Sequence, residues 1–334
     1  MVKVAFRKRI LSKSSRARCL RRDQNGVASV IGTIMALLIF LTFMSMFVNT
    51  YIPIWMKENE RLHMNEVQNQ MGEVKGKIDN LIVNAQVTGT SMVNTYEPIT
   101  MGAPGIPLFA SATAGAIILK PVGTSTTGTT VKFNYTSDSH QITVNENGGG
   151  KLEFYAPNRY YVGQWLAYEN GAIIVKQDVG EAMKATPSLE ITKSGNNFNV
   201  VFTQIDIVGT NSTMAGTGVA GVNINLIYLD TQKYTPNWGS GADQNTTVYK
   251  FNTVYNVALM DFMNKTIKPA DPLATSGAVR NGNTYTVTVT NGGTTEMKLS
   301  DTLLSDKSHM VTLQVINTGT LTLSRAFVQV DINV

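Results

Sequence analysis

The side chains of this 334-residue chain that could do chemistry are few and scattered. Its three histidines, His63, His140 and His309, lie far apart, and none sits at the short spacing from another ligand that a zinc site uses. Acidic residues such as Asp138, Asp206, Asp230 and Asp331 follow no calcium-loop spacing. No Gly-x-Ser-x-Gly elbow, phosphate-binding loop or dinucleotide fingerprint is present. Gly148-Gly149-Gly150 lacks the strand-then-helix context that cradles a phosphate, and reads as a flexible loop. Catalysis, a cofactor and a bound metal are therefore not expected. What remains is chemistry done to the chain. Asn134, Asn211, Asn245 and Asn264 each open an Asn-x-Ser/Thr sequon, a candidate acceptor for N-linked glycan.

The elements that must carry these residues divide sharply. Val27 to Met56 is a run of 30 residues without a charge, and nine Lys or Arg lie before it in the first 22 positions. At a rise of about 1.5 Å per residue, Val27 to Tyr51 as a helix covers the roughly 30 Å of a hydrocarbon core. Tyr51 and Trp55 fall where interfacial aromatics sit. The basic segment keeps the N-terminus cytoplasmic, so the region after Trp55 is expected outside the cell membrane. With the first 26 residues set apart, 19 basic and 22 acidic residues remain, so the net charge of +5 becomes −3. The basic pI thus belongs to the leader and gives no reason to expect a nucleic-acid partner. The single cysteine, Cys19, also lies there, so the external part carries no disulfide.

A secretory signal has a shorter apolar stretch followed by a small-residue cleavage site. Here the order is basic segment, Gly26, then a long apolar helix beginning GVASVIGTIMALLIF. This order resembles the class III signal of type IV prepilins, and the wording is most similar to archaeal pilins. The resemblance implies a prepilin peptidase that cuts on the cytoplasmic side after Gly26, making Val27 the new N-terminus. It also implies a helix that stays on the mature protein and enters a filament through the pilus assembly machinery. Ile31 stands at the fifth mature position, where many bacterial pilins carry glutamate. The alternative is an uncut signal anchor with a chance glycine.

Within the run, Ala28, Gly32 and Ala36 form a ladder of small residues on one helix face, suited to helix–helix assembly into homo- or hetero-oligomers. Beyond the membrane the helix is expected to continue. Leu62, Val67, Met71, Val74, Ile78 and Leu81 follow the spacing of a coiled-coil seam, with Glu58, Glu60, Glu66, Glu73, Lys75 and Lys77 on the other faces. The same stripe could instead dock on a β domain. Pro53 is expected to kink the rod, and Gly72 and Gly76 to soften it.

After Asn84 the pattern changes to short alternating runs rich in Thr, Asn, Gly and Val. Strands are predicted at 116–120, 130–135, 152–155, 165–169, 172–176, 199–205, 223–229, 284–290, 310–316 and 325–334. Asn170-Gly171 predicts a tight hairpin and Ser194-Gly195 another turn. Ala182 to Lys184 and Tyr255 to Thr266 are predicted helical. With no βαβ rhythm, the sheets are expected to be antiparallel. The expected fold class is α+β: a long N-terminal transmembrane and amphipathic helix followed by an antiparallel β-sandwich region. The expected divisions are a leader at 1–26, a helix at 27–84, an external β domain at 85–265 and a C-terminal β region at 270–334 that could complete the first sandwich. The segment LEFYAPNRYYVGQWLAYENGAIIVKQ is similar to one in uncharacterised archaeal surface proteins with the same kind of N-terminus. In it, Tyr168 and Ile173 to Val175 are expected in the core. Tyr160, Tyr161 and Trp165 are expected to pack at the core or an edge, with a binding role as the alternative. The reading is a type IV pilin-like surface protein, a pilus subunit or a minor or tip component used in adhesion. A stationary single-span envelope protein whose β domain binds the S-layer or a ligand is the alternative.

Overall fold

The computed structural model describes residues 24–89, 93–123, 128–137, 140–235 and 245–333. The basic segment up to Asp23, with Cys19, and Asp138 lie outside the described residues. Helix α1 (Gln24–Thr88) carries the apolar run and continues through Pro53. It ends where Gly89, at φ +69°, donates its backbone N–H to the Ala85 carbonyl at 2.9 Å. Glycine takes this left-handed cap without the steric cost of a side chain. Contacts divide the chain at Tyr51/Ile52, so the second half of α1 belongs with the β-rich unit.

That unit holds strands β1 (Asn94–Thr100), β2 (Gly115–Lys120), β3 (Gly128–Ser137), β4 (His140–Gly148), β5 (Lys151–Ala156), β6 (Gln164–Glu169), β7 (Ala172–Gln177), β8 (Gly180–Ala185), β9 (Leu189–Ser194), β10 (Asn197–Val208), β11 (Ser212–Gly216), β12 (Val219–Tyr234) and β13 (Thr246–Thr253). Helix α2 (Asn256–Ala270) follows. Then come β14 (Thr275–Asn281), β15 (Thr284–Asn291), β16 (Thr294–Leu303), β17 (His309–Ile316) and β18 (Thr318–Asn333). They form three sheets: β1-β12-β18-β10-β9, β11-β2-β5-β6-β7-β8, and β14-β15-β16-β17-β13-β3-β4. The protein is thus α+β, with one long apolar N-terminal helix and mostly antiparallel sheets.

Among the described residues two large hydrophobic clusters organise the unit, with a small third one at Ala167, Ala172, Ile174, Tyr255 and Ala258. In the first, Met64, Val67, Met71, Val74, Ile78 and Leu81 of α1 pack with Ile117, Phe154, Tyr168, Ile205, Val222 and Val328. The apolar stripe on α1 is therefore covered by the chain's own sheets; Leu62, at the start of that stripe, is exposed. The second gathers Phe133, Tyr249, Phe251, Val289 and Leu313 of the seven-stranded sheet with Leu259, Met263 and Ile267 of α2. The long strands β10 and β18 enter both: Phe198, Val200, Phe202, Leu321 and Leu323 lie in the second cluster, Ile205, Ile207, Ala326, Val328 and Val330 in the first.

Asn170 and Gly171 turn the β6–β7 hairpin at φ +47° and +79°, as a type I′ turn requires. Gly195, at φ +63°, turns β9 into β10. Four expectations need correction. Ala182 to Lys184 are not helical: they lie in β8, paired with β7 across the turn at Asp178-Val179. Cross-strand pairing there overrides a weak local helical preference. Not every pairing is antiparallel, because β10 and β18 run parallel from Phe198↔Thr318 to Val208↔Gln329. Partners so far apart in sequence leave no local signal. Gly148 to Gly150 are buried and tightly packed, not a flexible loop. Gly149 N–H donates to Asp206 Oδ1 at 2.8 Å and its carbonyl accepts from Ile207 N–H at 2.9 Å. Finally, Glu60, read as one of the charges on the other faces of α1, is fully buried.

Candidate functional site: the apolar helix and the clamp at its base

Ala28 to Tyr51 of α1 are exposed or half-exposed along their length, and the most apolar 18-residue window reaches a mean hydropathy of 2.4 with none of it buried. Three of its polar side chains donate within the helix. Thr33 and Thr42 donate to the carbonyls of Val30 and Leu38, and Asn49 donates to Ser45 Oγ at 3.3 Å. That satisfies groups that would each cost several kcal/mol unpaired in hydrocarbon, on the order of 2–7 by transfer scales. By length and composition this helix could span a membrane. Gly26 and Val27 lie in its first turns. Ala28, Gly32 and Ala36 lie along one face, and a Cβ added at Gly32 meets nothing within 4 Å. Packing within the chain therefore does not require glycine at position 32.

At the other end of the uncharged run sits the feature that sequence reading missed. Glu60 Oε1 accepts from the Thr113 hydroxyl at 2.7 Å and Arg159 N–H at 3.0 Å; Oε2 accepts from the N–H groups of Tyr160 and Tyr161 at 2.8 and 2.7 Å. Burial alone raises the pKa of Glu60, but hydrogen bonds from Arg159, Thr113, Tyr161 and Tyr160 outweigh it and hold the carboxyl below its ordinary range. Three consecutive backbone donors aimed at one carboxylate form an anion nest, here filled by the protein's own side chain. The PNRYYVG segment had stood out in the sequence. Nothing in the spacing tied it to a glutamate about a hundred positions earlier.

A second buried polar cluster joins the six-stranded sheet to α2. Glu153 takes Lys151 Nζ at 2.6 Å, Lys120 Nζ at 2.9 Å and the Tyr255 hydroxyl at 2.6 Å. Burial opposes ionisation of Glu153, yet these partners hold its pKa down. Burial drives the Tyr255 hydroxyl far up. Glu169 accepts from Thr253 Oγ1 at 2.9 Å but is pushed up to about 7, chiefly by burial. Glu181 pairs with Lys176 and accepts from Val257 and Ala258 N–H, capping α2 from a different strand. Farther on, the fully buried Asp206 is held by Arg325 at 2.6 Å, and Arg325 also reaches Glu146. These groups cross-link sheets.

The remaining candidates are dispersed. His63 bonds the Thr100 carbonyl and lies edge-on to Phe154. His309 Nδ1 pairs with Asp301 at 2.9 Å in an open cleft of about 360 Å³ that also presents Arg280 and Tyr285. Ser308 beside it is buried, with its hydroxyl committed to Asp306. Among the described residues no three metal-ligating side chains converge. Of the sequons, Asn211 is exposed between β10 and β11. Asn134 in β3 and Asn264 in α2 are half-buried, and Asn245, also half-buried, accepts at its carbonyl from Thr318 N–H. Tyr168 lies in the core, Trp165 stacks on Tyr155 at 4.3 Å, and Tyr161 packs against the first cluster. No family model matches the chain, and neither the curated proteins nor the solved structures searched contain a match.

Proposed function

We propose that this chain is a type IV pilin-like surface protein: its leader is removed after Gly26, and α1 first anchors it and then serves as the element through which copies assemble. The observation that carries the reading is a single helix with two chemistries. Its first half is uncharged and exposed, with a stripe of small residues. Its second half is part of the hydrophobic core of a β-rich unit. A helix that is apolar all round needs lipid or other helices as its surroundings. In this reading the basic N-terminus is cytoplasmic, the β-rich unit is external as a sandwich of stacked sheets, and the protein contributes to a filament shaft or its adhesive tip. The partners are the membrane, a prepilin peptidase and the assembly machinery, with glycan on exposed sequons. The decisive variant is Gly26→Leu, which denies the peptidase a small residue at the cut. It should leave a membrane-bound precursor longer by the 26 leader residues on a gel. Unchanged mature mass would remove the pilin-type leader and favour a stationary envelope anchor.

A further inference from the structure

The base of the β-rich unit is apolar on its outer surface, and its position along α1 is fixed by hydrogen bonds. The chain from β1 onward walks down the helix toward its N-terminus. Lys77 binds the Tyr96 carbonyl and Glu97; Gln70 and Glu66 bind Thr100; Asn59 Nδ2 donates to the Pro104 carbonyl at 3.1 Å. From Lys77 to Asn59 the helix descends about 27 Å. From Tyr96 to Pro104 an extended chain covers about the same length. Four residues further on is Leu108, at the apex of a small hairpin closed by the Ile106–Ala110 bridge. The Arg159–Tyr161 loop is pinned at the same level by Glu60. Ile52 and Met56, the last buried positions of the uncharged run, are 3% and 0% exposed. One helix cannot bury its own side chains so completely, so the rest of the unit reaches alongside the end of that run.

Six large side chains exposed around this level are apolar, Ile54, Trp55, Leu108, Phe109, Tyr160 and Val162, all between 39% and 101% exposed, while the exposed Glu58 beside them is neutralised by Arg61 at 2.6 Å. Leu108 is the extreme case, fully exposed at φ +69°. Glycine or asparagine would take that backbone more cheaply, so the turn does not explain a leucine there. Exposed Lys57 and Arg159 stand beside the patch, with Arg159 donating only weakly to Ser111 at 3.3 Å. Aromatic and aliphatic tips rimmed by cations are the composition of a surface seated between headgroups and acyl chains.

We propose that this ring of side chains is a lipid-contacting collar: the Leu108 hairpin and the Tyr160–Val162 loop enter the outer headgroup–acyl boundary beside the emerging helix. This rests on the reading of the apolar run as a membrane span. The Glu60 clamp then holds the Arg159–Tyr161 loop at its level on the second half of α1.

The test uses the full chain with Cys19→Ser, reconstituted in vesicles of phosphatidylcholine and phosphatidylglycerol. Single cysteines at Leu108→Cys and, as a control on the second cluster's side of the unit, Leu273→Cys carry a polarity-sensitive dye; Leu273, just past α2, is likewise well exposed, at 83%. The expected result is a blue shift at position 108, quenched by nitroxide-labelled lipid, and neither effect at 273. Vesicle flotation is read in parallel. Protein that floats while the 108 dye stays aqueous overturns the collar and leaves the span intact. Protein that does not float overturns both. Disulfide linkage between two 108 cysteines without lipid quenching would assign the patch to a second copy of the chain and also overturn the lipid assignment.

Discussion

The Glu60 clamp can be tested by the smallest possible change, Glu60→Gln. The substitution keeps the volume of a side chain that is fully buried, and keeps one carbonyl oxygen for Thr113 and Arg159. It replaces the other oxygen with an amide that faces the N–H groups of Tyr160 and Tyr161, donor against donor. Hydrogen bonds to a charged group contribute roughly 1.5–3 kcal/mol each, and an unmade buried bond costs roughly 1–3. Two are lost, not fully additively, so the clamp should weaken by about 3–4 kcal/mol. Because the loop is held chiefly there, most of that loss should appear as local opening before global unfolding. Arg159 is exposed, which makes trypsin a direct reporter. Wild-type protein in detergent should resist cleavage after Arg159, whereas Glu60→Gln should be cut there rapidly. Hydrogen exchange at residues 159–161 should rise in step. The same opening should occur in the wild type on acidification. The Glu60 pKa is lowered in the fold, so its stabilisation is full above the ordinary glutamate value and lost as pH falls through the folded value. Equal protease resistance in both proteins, with unfolding free energies differing by less than about 0.5 kcal/mol, would refute the clamp.

Glu169 should act with the opposite sign: its folded pKa is pushed up to about 7, so ionisation costs stability as pH rises through that value. Glu169→Gln should therefore be more stable than wild type by about 2 kcal/mol at pH 8, with the two converging below pH 4 in denaturant titrations. Gly148→Ala would place a Cβ 1.7 Å from Asp206 Oδ1 and displace the Arg325 pair, so a loss of about 3 kcal/mol or failure to fold is expected on thermal melts. Gly32→Leu should leave membrane insertion and β-unit stability unchanged while abolishing cross-linkable oligomers, since among the described residues a Cβ there meets nothing within 4 Å.

The features legible in the sequence were those with a local physical cause. The uncharged run, the seam of α1, the Asn170-Gly171 turn and the start of α2 all follow from periodicity, charge or backbone preference within a short window. The features that were not legible depend on partners far apart. The parallel β10–β18 pair joins residues more than a hundred positions apart, and the carboxylate of Glu60 finds its donors after a similar interval. Glu60 looked like one more charge on an amphipathic helix, because spacing shows a face but not what covers it. The glycine triplet misled for the same reason: Gly148 to Gly150 read as slack chain, yet their missing side chains admit Asp206 and the backbone of β10. Asn170 was found as a turn residue, while its second bond, Oδ1 to Ile205 N–H at 2.8 Å, was invisible in the sequence.

The most direct measurement is the N-terminus of the protein recovered from its own cell surface, read by intact mass and by sequencing. A mature chain that begins at Val27 and is enriched in sheared surface filaments is the expected result. A chain that retains its basic leader and stays with the membrane would contradict processing and assembly together.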